Sequence, residues 1–243
     1  MEQHPFIGTA GWSIHSRYGA EFTGGGSHLE RYGAKLGCVE INSSFYKPHR
    51  LETYQRWAAA VPAGFRFSVK LPKAITHEAG LVDIAGPLDR FLTESGALGA
   101  KRAVLLVQLP PSLAFERDVA SSFFHLLRDR TSDGVALEPR HASWFGEEAE
   151  ALLKEYHIAR VAADPPRHEG GDRPDGWTGL TYYRFHGAPR VYYSDYAPER
   201  LDEIASEIMR SKAAQTWCIF DNTAASHALG NALAVSRLVD GLK

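Results

Sequence analysis

Leu180-Thr-Tyr-Tyr-Arg-Phe-His186 is a short run of strand-forming residues that carries an arginine and a histidine at its far end. A strand buried on both faces reads as apolar throughout, so charge gathered at one end marks that end for another purpose. The same design recurs in Cys38-Val-Glu-Ile-Asn-Ser-Ser44, Arg66-Phe-Ser-Val-Lys-Leu-Pro72, Ala103-Val-Leu-Leu-Val-Gln-Leu109 and Val135-Ala-Leu-Glu-Pro-Arg140. Strands are predicted at 6–12, 38–45, 66–71, 102–109, 134–140, 159–164, 180–187 and 216–222, with a helix-like stretch after nearly every one. The pattern predicts an α/β chain folded as a single (β/α)8 TIM-type barrel over residues 1–243, whose chemistry sits at the C-terminal strand ends.

Helices fit 28–36, 51–60, 88–98, 117–130, 147–156, 199–212 and 224–239. Ser27 and Glu30 form a capping-box pattern ahead of the first. The sixth helix is expected to be reduced or replaced by a loop, because 165–179 is rich in Pro, Gly and charge. The eight units leave no residue block for a second domain.

Composition narrows the function classes. A net charge of −2 gives no global attraction to nucleic acid or acidic membranes. Cys38 and Cys218 both fall inside predicted strands and are expected to be reduced core residues, not part of a disulfide framework. No basic segment with a long apolar stretch opens the chain and no run spans a bilayer, so a cytoplasmic protein without membrane partners is expected. A nicotinamide-type glycine fingerprint and a Walker loop are both missing, and no cofactor is predicted.

Side-chain alternation gathers the polar strand ends. Successive strand residues face opposite sides, so one assignment directs Glu40, Asn42, Lys70, Gln108, Glu138, Arg140, Arg184 and His186 to the axis, with Val39, Ile41, Phe67, Val69, Val135, Leu137, Tyr183 and Phe185 toward the helices. Asp164, Asp221 and Asn222 are expected to close the ring. Glu40 and Glu138 among cations suit a division into general acid and general base. Lys70 could form a Schiff base, but adjacent carboxylates are expected to keep it protonated as an electrostatic clamp, and His186 suits a proton carrier. A mixed site for a divalent metal from His77, His141, Glu40, Asp164 and Asp221 is the weaker alternative, since no His-Glu-x-x-His occurs.

Asn222 is placed to cap the last helix, where free amides with Arg184 and Arg190 would attract a phosphate. Trp12, Tyr46, Tyr192 and Tyr193 offer faces for a sugar or a base at the rim, whereas Phe45 and Trp144 read as loop packing. These residues point to a hydrolase or isomerase acting on a small anionic, phosphate- or sugar-containing ligand. A nucleic-acid or nucleotide binder and a scaffold with a salt-bridged polar core are the alternatives. Nothing in the pattern sets the oligomeric state.

Seven stretches, in order along the chain, resemble the YecE-like family, domain of unknown function 72. They are Gly8-Thr-Ala-Gly-Trp12, Val39-Glu-Ile-Asn-Ser-Ser-Phe-Tyr46, Phe65-Arg-Phe-Ser-Val-Lys70 with Thr76-His77, Gln108-Leu-Pro-Pro111, Glu138-Pro-Arg-His-Ala-Ser-Trp144, Tyr183-Arg-Phe-His-Gly187 and Phe220-Asp-Asn222. The resemblance implies a TIM-type barrel and no established reaction. The chain departs from it after Trp12, where Tyr18-Gly-Ala-Glu-Phe22 precedes three glycines, and at Asp221, where the family carries Asn.

Overall fold

A computed structural model describes residues 4–242; Met1 to Gln3 and Lys243 lie outside them. The strands are β1 Phe6–Thr9, β2 Cys38–Ile41, β3 Arg66–Lys70, β4 Arg102–Gln108, β5 Gly134–Glu138, β6 Ala159–Arg160, β7 Ala162–Asp164, β8 Asp175–Gly176, β9 Leu180–Phe185 and β10 Gln215–Phe220. They form an α/β fold with two sheets, ordered β1-β10-β9-β7 and β2-β3-β4-β5-β6-β8. Every pairing is parallel except β6 with β8.

The hydrogen-bonded ladder is not closed. The strand predicted at 159–164 is split at Val161, so β6 pairs with β5 while β7 pairs with β9. Val161 still donates its amide to the Leu137 carbonyl at 2.9 Å. On the other side, β1 meets β2 through the bridge Ala10–Glu40 and the bond from the Gly11 amide to the Glu40 carbonyl at 2.9 Å.

The helices are α1 His28–Gly33, α2 Ser43–Tyr46, α3 Leu51–Ala59, α4 Ala85–Gly96, α5 Arg117–Arg128, α6 Glu147–Glu155, α7 Pro198–Met209 and α8 Ala228–Gly241. α5 shows why they pack: Ala120, Phe123, Phe124 and Leu127 recur at helical spacing and are buried on one stripe. Ser27 and Glu30 make the expected capping box. Between β7 and β9 the chain forms β8 and no helix, as the composition of 165–179 implied. Among the described residues no helix is long and apolar enough to cross a membrane.

Two apolar layers flank the strands. Val39, Ile41, Phe67, Val69, Leu105, Val107, Val135, Leu137 and Phe185 pack toward the helices. Cys38, Val104, Leu106, Ala136, Val161, Tyr182, Trp217 and Ile219 fill the interior, with Tyr182 stacked on Trp217 at 5.9 Å. The predicted alternation therefore holds, and the interior is a packed floor beneath the polar strand ends. Both cysteines are free and buried, Cys38 in the inner layer and Cys218 in the outer.

Gly8 sets the seam between the two sheets. A Cβ there would lie 2.2 Å from the Cys38 carbonyl oxygen, a backbone atom that cannot swing aside. Gly8→Ala is expected to lower stability by about 2–3 kcal/mol through overpacking, read from urea unfolding. An unchanged midpoint would show that the seam tolerates separation.

Candidate functional site

Arg184 enters the interior from β9 and is 0% exposed. Its guanidinium binds Glu40 twice, Nε to Oε2 at 3.0 Å and Nη2 to Oε1 at 2.7 Å. Nη1 donates to Glu138 Oε2 at 2.5 Å and Nη2 to Asp221 Oδ2 at 2.9 Å. One cation thus joins carboxylates from β2, β5 and the end of β10. Tyr182 donates its hydroxyl to Glu40 Oε2 at 2.9 Å and Gln108 its amide to Glu138 Oε2 at 2.9 Å. His186 lies 3.1 Å from Asp221 Oδ2 through Nδ1 and 3.2 Å from Glu138 Oε1 through Nε2.

These contacts fix charge states. Burial would raise the Glu138 pKa, but Arg184, His186 and Arg140 hold it well below the usual carboxylate range. Asp221 follows the same balance and is also lowered. Burial would push His186 down, yet its bonds to Asp221 and Glu138 raise it, favouring imidazolium. Glu138 is therefore a base or an electrostatic partner, and His186 is the proton-bearing member. Both Glu40 oxygens accept from Arg184, one of them also from Tyr182, and Glu138 is likewise bound on both oxygens, Oε2 by Arg184 and Gln108 and Oε1 by His186 and Arg140. Arg184, expected to face a ligand, is instead enclosed, with four of its five N–H donors bound to carboxylates.

A second layer lies over this network. Lys70, at the end of β3, is 6% exposed, and its Nζ sits 4.3 Å over the Phe45 ring. Among the described residues Nζ has no hydrogen bond or ion pair. Burial and then Arg184 lower its pKa to about 8, against the raising pull of Glu40, Glu138 and Asp221. Arg140 reaches Glu138 Oε1 and the Tyr192 hydroxyl only at 3.4 Å, and its buried Nε has no partner. His77, lowered by burial and by the charges of Lys70 and Arg140, faces the same space, with its ring 4.9 Å from Phe45. Tyr192 covers His186 edge-on at 5.6 Å. Gly187, at φ 88°, lets that loop fold back, since a Cβ there would meet the Ser194 carbonyl at 2.7 Å. Asn42 lies past the end of β2 as the N-cap of α2, in helical conformation, and carries a buried, unpartnered Oδ1.

Other expected positions lie elsewhere. Asp164 turns outward to Arg200 of α7, with Nη2–Oδ2 at 2.8 Å, and is no part of the ring. Asn222 is buried and donates to the Ser194 carbonyl at 2.9 Å and Asn231 Oδ1 at 2.8 Å. α8 starts at Ala228, not residue 224, with His227 as its N-cap, so the phosphate cradle expected on Asn222 does not form. Trp12 packs edge-on against Trp57 at 4.9 Å, while Tyr46 is exposed. Arg190 stacks on exposed Tyr193 at 3.9 Å, outside the network. The donors considered for a metal are dispersed in the same way: Glu40 and Asp221 bind Arg184, Asp164 binds Arg200, and His141 binds Ser143 at 2.8 Å. Tyr182 and Phe45 were not singled out from sequence as site residues. Tyr182 shares the inward parity of Arg184 and was legible; the placement of Phe45 under an amine was not.

An α/β fold whose strand ends converge on a buried ion network defines the class of protein. The profile described as "Protein of unknown function DUF72" matches residues 6–242, and the chain belongs to that family. UPF0759 protein YecE of Escherichia coli (strain K12) is 30% identical over 142 residues, 56% of this chain and 52% of that protein. The chain thus spans about half the length of that relative in the aligned region. UPF0759 protein YunF of Bacillus subtilis (strain 168) is 21% identical over 266 residues, 97% of this chain and 94% of the relative. A DUF72 family protein from Enterococcus faecalis V583 superposes with a TM-score of 0.81 at 21% identity, covering 98% of this chain and 96% of that one. At that identity the likeness establishes the fold.

Arg184→Met is expected to lose about 3–5 kcal/mol, because three buried carboxylates would be left without their shared cation. Stability should also depend on pH in a defined sense. The lowered carboxylates Glu138 and Asp221 stabilise above their unfolded pKa of about 4, and this is lost as pH falls through their folded values. The raised His186 stabilises fully below about 6.5 and this fades as pH rises through its folded value. Urea unfolding across pH should peak between about 5 and 6.5, and His186→Gln should remove the decline on the alkaline side. A profile flat from pH 3 to 8 in the parent chain would refute the network's charge states.

Proposed function

We propose that the chain is an enzyme acting on a small anionic ligand, with phosphate- or sugar-acid-type chemistry, bound over the ion network. The two sheets read as arcs of one eight-stranded barrel, since β6 and β7 continue one strand and β1 meets β2 at a single bridge. One observation carries the functional reading. Arg184, His186, Arg140 and Lys70 set four cations against the three carboxylates of Glu40, Glu138 and Asp221, and the amine of Lys70 and Nε of Arg140 stay unpartnered. Buried charge persists at such cost only with a compensating partner, and an anion supplies it.

In this reading Arg140 holds the ligand's anionic group, with the charge of Lys70 adding attraction and His77 beside them. His186 delivers a proton and Glu138 accepts one, the two linked by their own contact at 3.2 Å. Preorganised cations then stabilise negative charge that develops during a proton transfer or hydrolysis. The stacked Arg190 and exposed Tyr193 favour a second reading, in which the rim binds a nucleic-acid strand.

Titration calorimetry with glycerol 3-phosphate and inorganic phosphate tests the first reading. Saturable binding is expected, weakened at least tenfold by Lys70→Ala or Arg140→Ala, which corresponds to about 1.4 kcal/mol. Affinity in the parent chain should fall as pH rises through about 8, where the Lys70 amine loses its proton. Glu138→Gln should abolish turnover of any substrate found while binding persists. No binding, with both cation variants merely less stable, would leave a salt-bridged plug as the role of the ring. Salt-sensitive binding of mixed oligonucleotides that Arg190→Ala weakens would move the function to the rim.

A further inference from the structure

Lys70 is the one group at the mouth whose surroundings do not match a simple clamp. A clamp lysine is fully protonated and paired. Here Nζ lies 4.3 Å over the Phe45 ring with no ion pair, although Glu40, Glu138 and Asp221 all act on it electrostatically. None of the three pairs with Nζ, and each is bound to Arg184. The side chain is held at the end of β3, on the inward side of a strand whose backbone is fixed between β2 and β4. Ser44 also tightens this strand end, donating its hydroxyl to the Lys70 carbonyl at 2.6 Å. The amine is thus positioned on a rigid element, screened from water and kept from carboxylates.

We propose that Lys70 is a carbonyl-reactive amine that forms a protonated imine with a small aldehyde or ketone bearing a carboxylate or phosphate. The proposal rests on the anion-site reading above and names the substrate class of that site. Arg140, with its free Nε, holds the anionic group and leaves the Lys70 amine for the carbonyl carbon. The Nζ lone pair forms the C–N bond as the carbonyl π pair moves to oxygen, which takes up the proton that Nζ sheds. The resulting hydroxyl accepts a proton from solvent at the mouth and leaves as water, giving the C=N bond. No oxidant or reductant enters. The positive imine then draws electrons from the adjacent carbon.

Reactivity at neutral pH follows from the amine's surroundings. With a pKa near 8, roughly one Lys70 in ten is neutral at pH 7, against roughly one in two thousand for an ordinary lysine of pKa about 10.4. Labelling at Lys70 should then exceed that at ordinary exposed lysines by about a hundredfold or more, from neutral fraction alone.

The experiment treats the full chain at pH 7 with D-glyceraldehyde 3-phosphate or, as a smaller probe, glyoxylate, and traps imines with cyanoborohydride. Peptide mass spectrometry locates the adduct on the parent chain, so the result does not depend on a variant folding. The expected result is one dominant adduct on Lys70, absent in Lys70→Arg, slowed at least tenfold in Arg140→Ala, and suppressed by competing glycerol 3-phosphate. Labelling spread evenly over the lysines, or unchanged in Lys70→Arg, overturns the proposal. Glycerol 3-phosphate has no carbonyl, so it separates the two claims. Binding of glycerol 3-phosphate without a Lys70 adduct from either probe refutes the imine and keeps the anion site. Absence of both refutes both.

Discussion

Everything at the strand ends depends on the enclosure of one guanidinium. Arg184 has no exposed surface and makes four charged contacts to three carboxylates that come from separate strands. A planar fork with fixed donors can satisfy several carboxylates at once, which the single ammonium of a lysine cannot do with the same geometry. The cation therefore ties together β2, β5, β9 and the end of β10, including members of both sheets. Where the hydrogen-bonded ladder is interrupted, this network supplies an ionic cross-link over the top of the interior.

The two sheets also share a layered interior. Below the network, Tyr182, Trp217, Val104, Leu106 and Ile219 exclude water. Tyr182 belongs to both layers, since its ring stacks on Trp217 while its hydroxyl donates to Glu40 and to Ser68. The apolar floor lowers the local dielectric, and that strengthens the ion contacts while making any unpaired group costly. The floor and the charges above it are consequently one device: packing sets the strength of the electrostatics.

Most of this was legible in the sequence because strand parity is a strict rule. Counting by twos from Cys38 gives Glu40; from Leu106 it gives Gln108, from Ala136 it gives Glu138 and Arg140, and from Tyr182 it gives Arg184 and His186, whereas β2 ends before Asn42 and the predicted strand to residue 45 gives way to α2. The same count corrects two expectations that ignored it. Val161 faces inward and Ala162 outward, so Asp164 shares the outward side and meets Arg200 on α7. Cys218 and Phe220 face outward, so Asn222 does too, and it is absorbed by Ser194 and Asn231. What parity cannot supply is the behaviour of loops. The late start of α8 and the return of Tyr192 over His186 depend on turns with positive φ at Ser226 and Gly187, which leave little trace in periodicity. The split at Val161 was hidden for a related reason, because it changes which neighbour is paired without changing side-chain parity.

Parity also does not say which charges will find each other. Seven ionisable groups point to one region, and several pairings were open to the chain. The multidentate arginine takes all three carboxylates, and this choice isolates Lys70. Had Glu40 or Asp221 been free to pair with Nζ, the amine would have remained a protonated clamp. Because they are not, burial and the Arg184 charge act on it with only distant compensation, and its pKa falls to about 8. The interaction that stabilises the top of the interior therefore also leaves a buried amine without a paired counterion.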